Sequence, residues 1–184
     1  MRVFIAVLVL IFSLQSWTKA DDIRDFEIEG MSIGDSLLDY FNKDKIVDYV
    51  IFPYNSKKFG LWINPEDASF ETFGGIQVHV KKDDQKYIIQ SIDGHIYYFD
   101  NIKDCYPKKN EITNEIRELF ANTKELNGKS IHYLDKSGKS KVDQTLFKFD
   151  SEDSVWIECY DWSEEMEYGD KLSLSIRTKE LMDF

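Results

Sequence analysis

The chain has 184 residues, 42% hydrophobic and 15% aromatic, which is enough for one domain with a filled core and rules out a disordered or collagen-like chain. Its 23 basic and 34 acidic side chains give a net charge of -11, which argues against duplex nucleic acid as a partner, because such binding needs a field of Lys and Arg facing the phosphates. With 9 Gly and 3 Pro there is little room for long flexible linkers.

Residues 1–20 read as a secretory signal peptide: Arg2, an unbroken apolar run from Val3 to Phe12, then Thr18-Lys19-Ala20 before a cut at Asp21. The run is too short to span about 30 Å of hydrocarbon as an anchor. No cysteine stands at the cut to carry a lipid. Residues 21–184 then form a single domain with 21 basic and 34 acidic side chains, a net of -13, and no second segment apolar enough to cross a bilayer. The expected location is the periplasm or outside the cell. There, the only two cysteines, Cys105 and Cys159, predict a disulfide, with buried reduced thiols as the alternative. The closed loop of about 55 residues is worth roughly 4 kcal/mol in the chain-entropy model.

After a mixed lead-in, Ser32 with Asp35 three residues on predicts a capped helix along Ile33, Leu37, Leu38 and Phe41. Asn42-Lys43-Asp44 interrupts it, and Ile46, Val47 and Val50 predict a second short helix that Pro53 ends. From Phe59 the period is two: Phe59, Leu61 and Ile63, then Ile76, Val78 and Val80 against Gln77, His79 and Lys81. Tyr87 to Phe99 predicts a hairpin turning at Asp93-Gly94, a pair that tolerates the positive φ of a type I′ turn. A longer helix follows Pro107, burying Ile112, Ile116, Leu119 and Phe120, turning Lys109, Glu115 and Glu118 outward, and closing at Gly128. The last third predicts strands at Ile131–Leu134, Thr145–Phe149, Val155–Tyr160 and 172–177, with a Lys-Ser-Gly-Lys turn at 136–139.

Two short helices, strands, one longer helix and more strands make an α+β fold with antiparallel sheet, since a parallel sheet needs a helix after nearly every strand. The order also admits two copies of a helix-plus-meander unit, at 31–99 and 105–184. The stretches DFEIEGMSIGDSLLDYF (25–41), YIIQSIDGHIYYFDNIKDCY (87–106) and CYDWSEEM (159–166) resemble a group of uncharacterised exported proteins from marine-type bacteria. Gly30-Met31-Ser32 is also similar to the step that opens the first helix of the BamE/SmpA-like envelope-assembly lipoproteins, whose helix-helix-meander fold the resemblance implies for 30–99. This chain lacks their lipobox cysteine and their Gly-x-Pro, reading Tyr40-Phe41-Asn42 instead.

The chemistry-bearing residues form no familiar constellation. There is no G-x-S-x-G elbow, no phosphate loop and no H-E-x-x-H, so no catalytic residue, metal ligand or cofactor is expected. His79 reads as exposed on the polar side of its strand, His95 as a residue flanking a turn, and His132 as ambiguous. Between Asp150 and Asp170 lie nine carboxylates and no Lys or Arg, an acidic face beside a stretch from 124 to 148 that carries six lysines. Aromatics interleave the acids: Val155, Ile157 and Cys159 point one way, and Trp156, Glu158, Tyr160 and Trp162 the other. The second set is core if the long helix covers it and a binding face if it does not. The expected function is non-catalytic binding of a protein or cell-envelope partner, with an accessory role in envelope assembly or a small periplasmic hydrolase as alternatives.

Overall fold

The computed structural model describes residues 22–51, 58–64, 69–99, 101–120 and 122–183. The expected signal peptide and Pro53 lie outside them. Among the described residues the fold is α+β: an eight-stranded antiparallel sheet with three α-helices. The strands are β1 (Val50–Ile51), β2 (Phe59–Ile63), β3 (Gly75–Lys81), β4 (Ile89–Tyr97), β5 (Lys124–Ile131), β6 (Lys141–Lys148), β7 (Ser154–Asp161) and β8 (Lys171–Arg177). The helices are α1 (Lys43–Tyr49), α2 (Cys105–Leu119) and α3 (Lys179–Met182). Strand order is β1-β2-β3-β4-β8-β7-β6-β5, so two four-strand meanders join through their last strands, β4 and β8.

One face of this sheet is apolar. Trp62, Ile76, Val78, Ile92, Leu172, Ile176, Val155 and Ile157 are all fully buried there. On the first meander they are covered by the N-terminal segment through Ile23, Ile28, Met31 and Leu37 and by Ile46 of α1. On the second they are covered by α2, through Ile112, Ile116 and, just past its end, Phe120. Cys105 at the first turn of α2 is disulfide-bonded to Cys159 of β7, with Cα atoms 6.1 Å apart, which fixes the long helix to the Val155-Ile157-Cys159 side.

Several local expectations resolve differently. The helix expected from Ser32 is a single turn, Leu37–Asp39, and is capped by Ser36 rather than Ser32. Asp35 does accept from the Ser32 amide at 2.9 Å, but Gly34 at φ 95° interrupts the helix between them. Asn42 is the cap of α1, its carboxamide oxygen accepting from the Lys45 amide. Asp93-Gly94 is no turn: β4 runs straight through it. Gly94 is needed for another reason, since a Cβ there would lie 2.7 Å from the Phe73 ring, which packs flat on the strand. Phe73 is held there by Glu29, whose carboxylate accepts from the amides of Glu71, Thr72 and Phe73. The strand after α2 starts earlier than expected, and Gly128 sits inside β5 instead of closing the helix. Lys109 does not point outward: it is buried, with its amine 2.6 Å from Asp143, because α2 lies directly over the sheet.

Candidate functional site

The second face of the sheet has the same strands beneath it and a different chemistry. Alternation sends Gln77 and His79 of β3 to this face, with Ser91, Asp93 and His95 of β4. Strand β8 adds Lys171, Ser173, Ser175 and Arg177, and β7 adds Trp156, Glu158 and Tyr160. Register converts these separate alternations into a cluster. Gln77, Asp93, Ser175 and Trp156 stand in one row across four strands, and His95, Ser173 and Glu158 in the next. The covering on this side is slight: α3, capped by Thr178, folds back so that Leu181 and Met182 close one end. Lys58 and Lys81 both pair with Glu180 and hold that turn down. Between α3 and the strands is a cavity of about 410 Å³, lined chiefly by Gln77, His79, Asp93, His95, Tyr160, Lys171 and Arg177.

Its floor is a bonded network. One Arg177 nitrogen, Nη2, reaches Glu158 Oε2 at 3.1 Å and Asp93 Oδ1 at 3.3 Å and donates to Ser175 Oγ at 3.1 Å. Asp93 also accepts from Ser91 at 3.0 Å and from Ser175, while Tyr160 donates its hydroxyl to Glu158 at 2.9 Å. The guanidinium lies 5.1 Å from the Trp156 ring centroid, and the indole N–H donates to Ser154. Burial pushes the Asp93 carboxyl up, but Arg177, His79 and the Ser175 hydroxyl together hold it below the usual range. Burial also pushes the Tyr160 hydroxyl up, and the neighbouring Glu158 carboxylate adds to it.

Three groups in the cavity are less well satisfied. His79 Nδ1 is buried with no hydrogen-bond partner among the described residues, 3.9 Å from Asp93 Oδ2. Lys171 forms no ion pair with the described residues; its amine lies 3.3 Å from His95 Nε2 and over the Tyr160 ring at 5.5 Å. Burial lowers its pKa against the pull of Asp93 and Glu158. Burial, with Lys171 next, takes His95 down to about 4, and burial lowers His79, so both rings are neutral at pH 7. Gln77 completes the set, its carboxamide without a bonded partner among the described residues.

Aromatic rings extend from two residues that line the cavity, Tyr160 and His95, and form a rim beside it. Tyr160 stacks on Trp162 with centroids 5.6 Å apart, and His132 lies 4.5 Å from Trp162. Tyr168 meets Trp162 edge-on, and Tyr97 stacks on Phe99 at 5.4 Å beside Gly169. Phe99 is 70% exposed, Tyr168 58% and Tyr133 81%. The loops that present these rings are fixed: Asp135 accepts from the amides and hydroxyls around Ser137, Ser140 and Ser163, and Asp170 accepts from the Trp162 amide. The hydrogen bonds from Ser140 and Ser137 hold the Asp135 carboxyl far below the usual carboxylate range.

Of the residues the sequence singled out, Trp156, Glu158 and Tyr160 point to this side, and Trp162 stands one residue beyond β7 at the rim. Only Tyr160 lines the cavity; Glu158 and Trp156 hold Arg177 in place. The reading of a continuous acidic face is corrected. Glu158 is buried and paired with Arg177, and Asp153 is buried, accepting from the Lys179 amide that opens α3. The neighbouring lysines pair individually, Lys139 with Glu165, Lys148 with Glu152 and Lys129 with Asp143. His79 and His95 are corrected too: neither is an exposed or turn residue, and both face the cavity. The residues missed were Asp93, Lys171, Ser175 and Arg177. Their signal was the polar alternation Ser91-Asp93-His95 and Ser173-Ser175-Arg177, and what it lacked was the pairing of β4 with β8. Among the described residues no group of three or more His, Cys, Asp or Glu is placed to hold a metal ion, and no helix is long and apolar enough to cross a membrane.

No protein-family model, curated protein or solved structure matches this chain.

Proposed function

We propose that the protein is an exported, non-catalytic binding domain that takes cell-envelope material at the polar cavity and its aromatic rim. The observation that carries this reading is the face itself. Asp93, Glu158 and Arg177 are desolvated on the side of the sheet opposite α2, where an apolar layer would be at least as stable. Buried polar clusters with shifted pKa values gather at functional sites, and here the cluster lies beneath an opening with exposed rings at its mouth. The signal segment and the Cys105–Cys159 disulfide support export, since disulfides persist in oxidising compartments.

Binding is favoured over hydrolysis by how the ionisable groups are occupied. Both carboxylates are bound to the same Arg177 nitrogen, so neither is a free acid or base. Among the described residues no serine hydroxyl is hydrogen-bonded to a histidine, the arrangement a serine nucleophile needs. The test is co-sedimentation of the full chain with an insoluble bacterial cell-envelope fraction. Retention that falls about tenfold in Gln77→Ala at unchanged melting temperature supports the reading. Equal retention of wild type and variant contradicts it.

A further inference from the structure

We infer that the cavity receives one neutral pyranose ring at the end of a glycan chain, with the sugars that follow lying on the Tyr97–Phe99 stack at the mouth. This rests on the binding reading above and adds the class of ligand.

The charges around the cavity balance. Asp93 and Glu158 face Arg177 and Lys171, two negative groups against two positive, and the histidines are neutral. A bound anion would place an uncompensated charge beside two buried carboxylates, and a cation would place one beside the guanidinium and the ammonium. A neutral ligand leaves the balance as it stands.

The spare hydrogen-bonding atoms of the cavity form a mixed set. The Gln77 carboxamide both donates and accepts and has no bonded partner among the described residues, and the Lys171 ammonium has donors beyond its contact with His95. Hydroxyl groups also donate and accept, so several on one ring can satisfy this mixed set at once. A carboxylate or phosphate could use only the donors.

The shape of the cavity limits what it admits. A volume of about 410 Å³ is at the small end of ligand sites, which run to about 1,000 Å³, and α3 closes one end, so the cavity suits a terminus rather than the middle of a polymer. At the open end the Tyr97–Phe99 stack lies beside His95, with Phe99 mostly exposed. Aromatic faces pack against the C–H faces of sugar rings, which places the next residues of the chain there.

The test is isothermal titration of the full chain with the methyl pyranosides of glucose, galactose, mannose and N-acetylglucosamine, their homotrisaccharides, glucuronic and galacturonic acid, and glucosamine. At least one neutral pyranoside should bind saturably, with its trisaccharide about tenfold tighter. Gln77→Ala should weaken both by about tenfold or more, while Phe99→Ala should remove only the trisaccharide's advantage. A uronic acid or glucosamine that binds tighter than its neutral parent overturns the neutral class and leaves the cavity a binding site. Absence of saturable binding by every sugar overturns the sugar class. If Gln77→Ala then still lowers envelope retention, the site binds a different class such as a peptide; if it does not, the binding reading fails as well.

Discussion

The two faces of one sheet are built by the same strands and solve opposite problems. Along β7, Val155, Ile157 and Cys159 bury completely under α2, while one position out of phase Tyr160 lines a charged cavity and Trp156 and Glu158 hold the Arg177 beneath it. The first face is apolar, closed and cross-linked. The second buries two carboxylates and a guanidinium, whose desolvation stabilises nothing that a layer of Leu and Ile would not. Burial alone therefore does not distinguish core from site. The chemistry of what is buried does.

The contrast is open to attack from the apolar side first. Trp62 is fully buried, 4.5 Å from the Phe41 ring, and donates its indole N–H to the Lys45 carbonyl. Trp62→Ala is expected to cost about 3–5 kcal/mol in denaturant unfolding. Replacing Cys105 and Cys159 together by Ser should cost roughly 4 kcal/mol, read by the same method. On the polar side, Arg177→Met should cost about 3 kcal/mol because it leaves Asp93 and Glu158 buried without their shared partner, yet the same change combined with Asp93→Asn and Glu158→Gln should cost less than the single change. Costs that simply add across the three positions would mean that these groups are not coupled.

Acid sharpens the same comparison. His95 faces Asp93, Arg177, Lys171 and Tyr97, and its folded pKa of about 4 lies below its ordinary value near 6.5. Between those values the unfolded chain holds the extra proton, so stability is complete above pH 6.5 and falls as the pH drops towards 4, by up to about 3 kcal/mol. His79 shifts in the same direction. Below the carboxylate range the loss continues, because Asp93 is held ionised in the fold. A pH series of urea melts should show this slope in wild type and a shallower one in His95→Gln. The smallest effect belongs to the rim, where Phe99→Ala should change stability by less than about 1 kcal/mol.

Much of the architecture was legible because period survives folding. The switch from period two to helical period after Pro107, and the phase of Ile76-Val78-Val80 and of Val155-Ile157-Cys159, place α2 and the core face correctly. The disulfide is expected from the only two cysteines of a chain read as exported, with Cys159 in the inward phase of Val155 and Ile157, while the sequence leaves open which face α2 covers. What was illegible is what depends on strand order. Asp93-Gly94 has the local chemistry of a turn, and only the Phe73 ring above Gly94 and the ion pair on Asp93 explain its place inside a strand. The site likewise depends on β4 meeting β8, more than 70 residues apart in sequence, so Asp93, Ser175 and Arg177 could not be grouped from spacing alone. Lys109 misled for a related reason: a lysine on a helix reads as exposed unless a buried partner such as Asp143 is known.

The most direct measurement is a ¹H–¹⁵N spectrum of the full chain, recorded with and without a solubilised bacterial cell-envelope glycan fraction and read at its tryptophan indole and glutamine side-chain signals. Trp62 reports on the apolar face, Trp156 and Trp162 on the polar face and its rim, and Gln77 on the cavity. The account predicts that Trp162 and Gln77 shift on titration while Trp62 stays fixed. Shifts at Trp62 with Trp162 and Gln77 unmoved would contradict it.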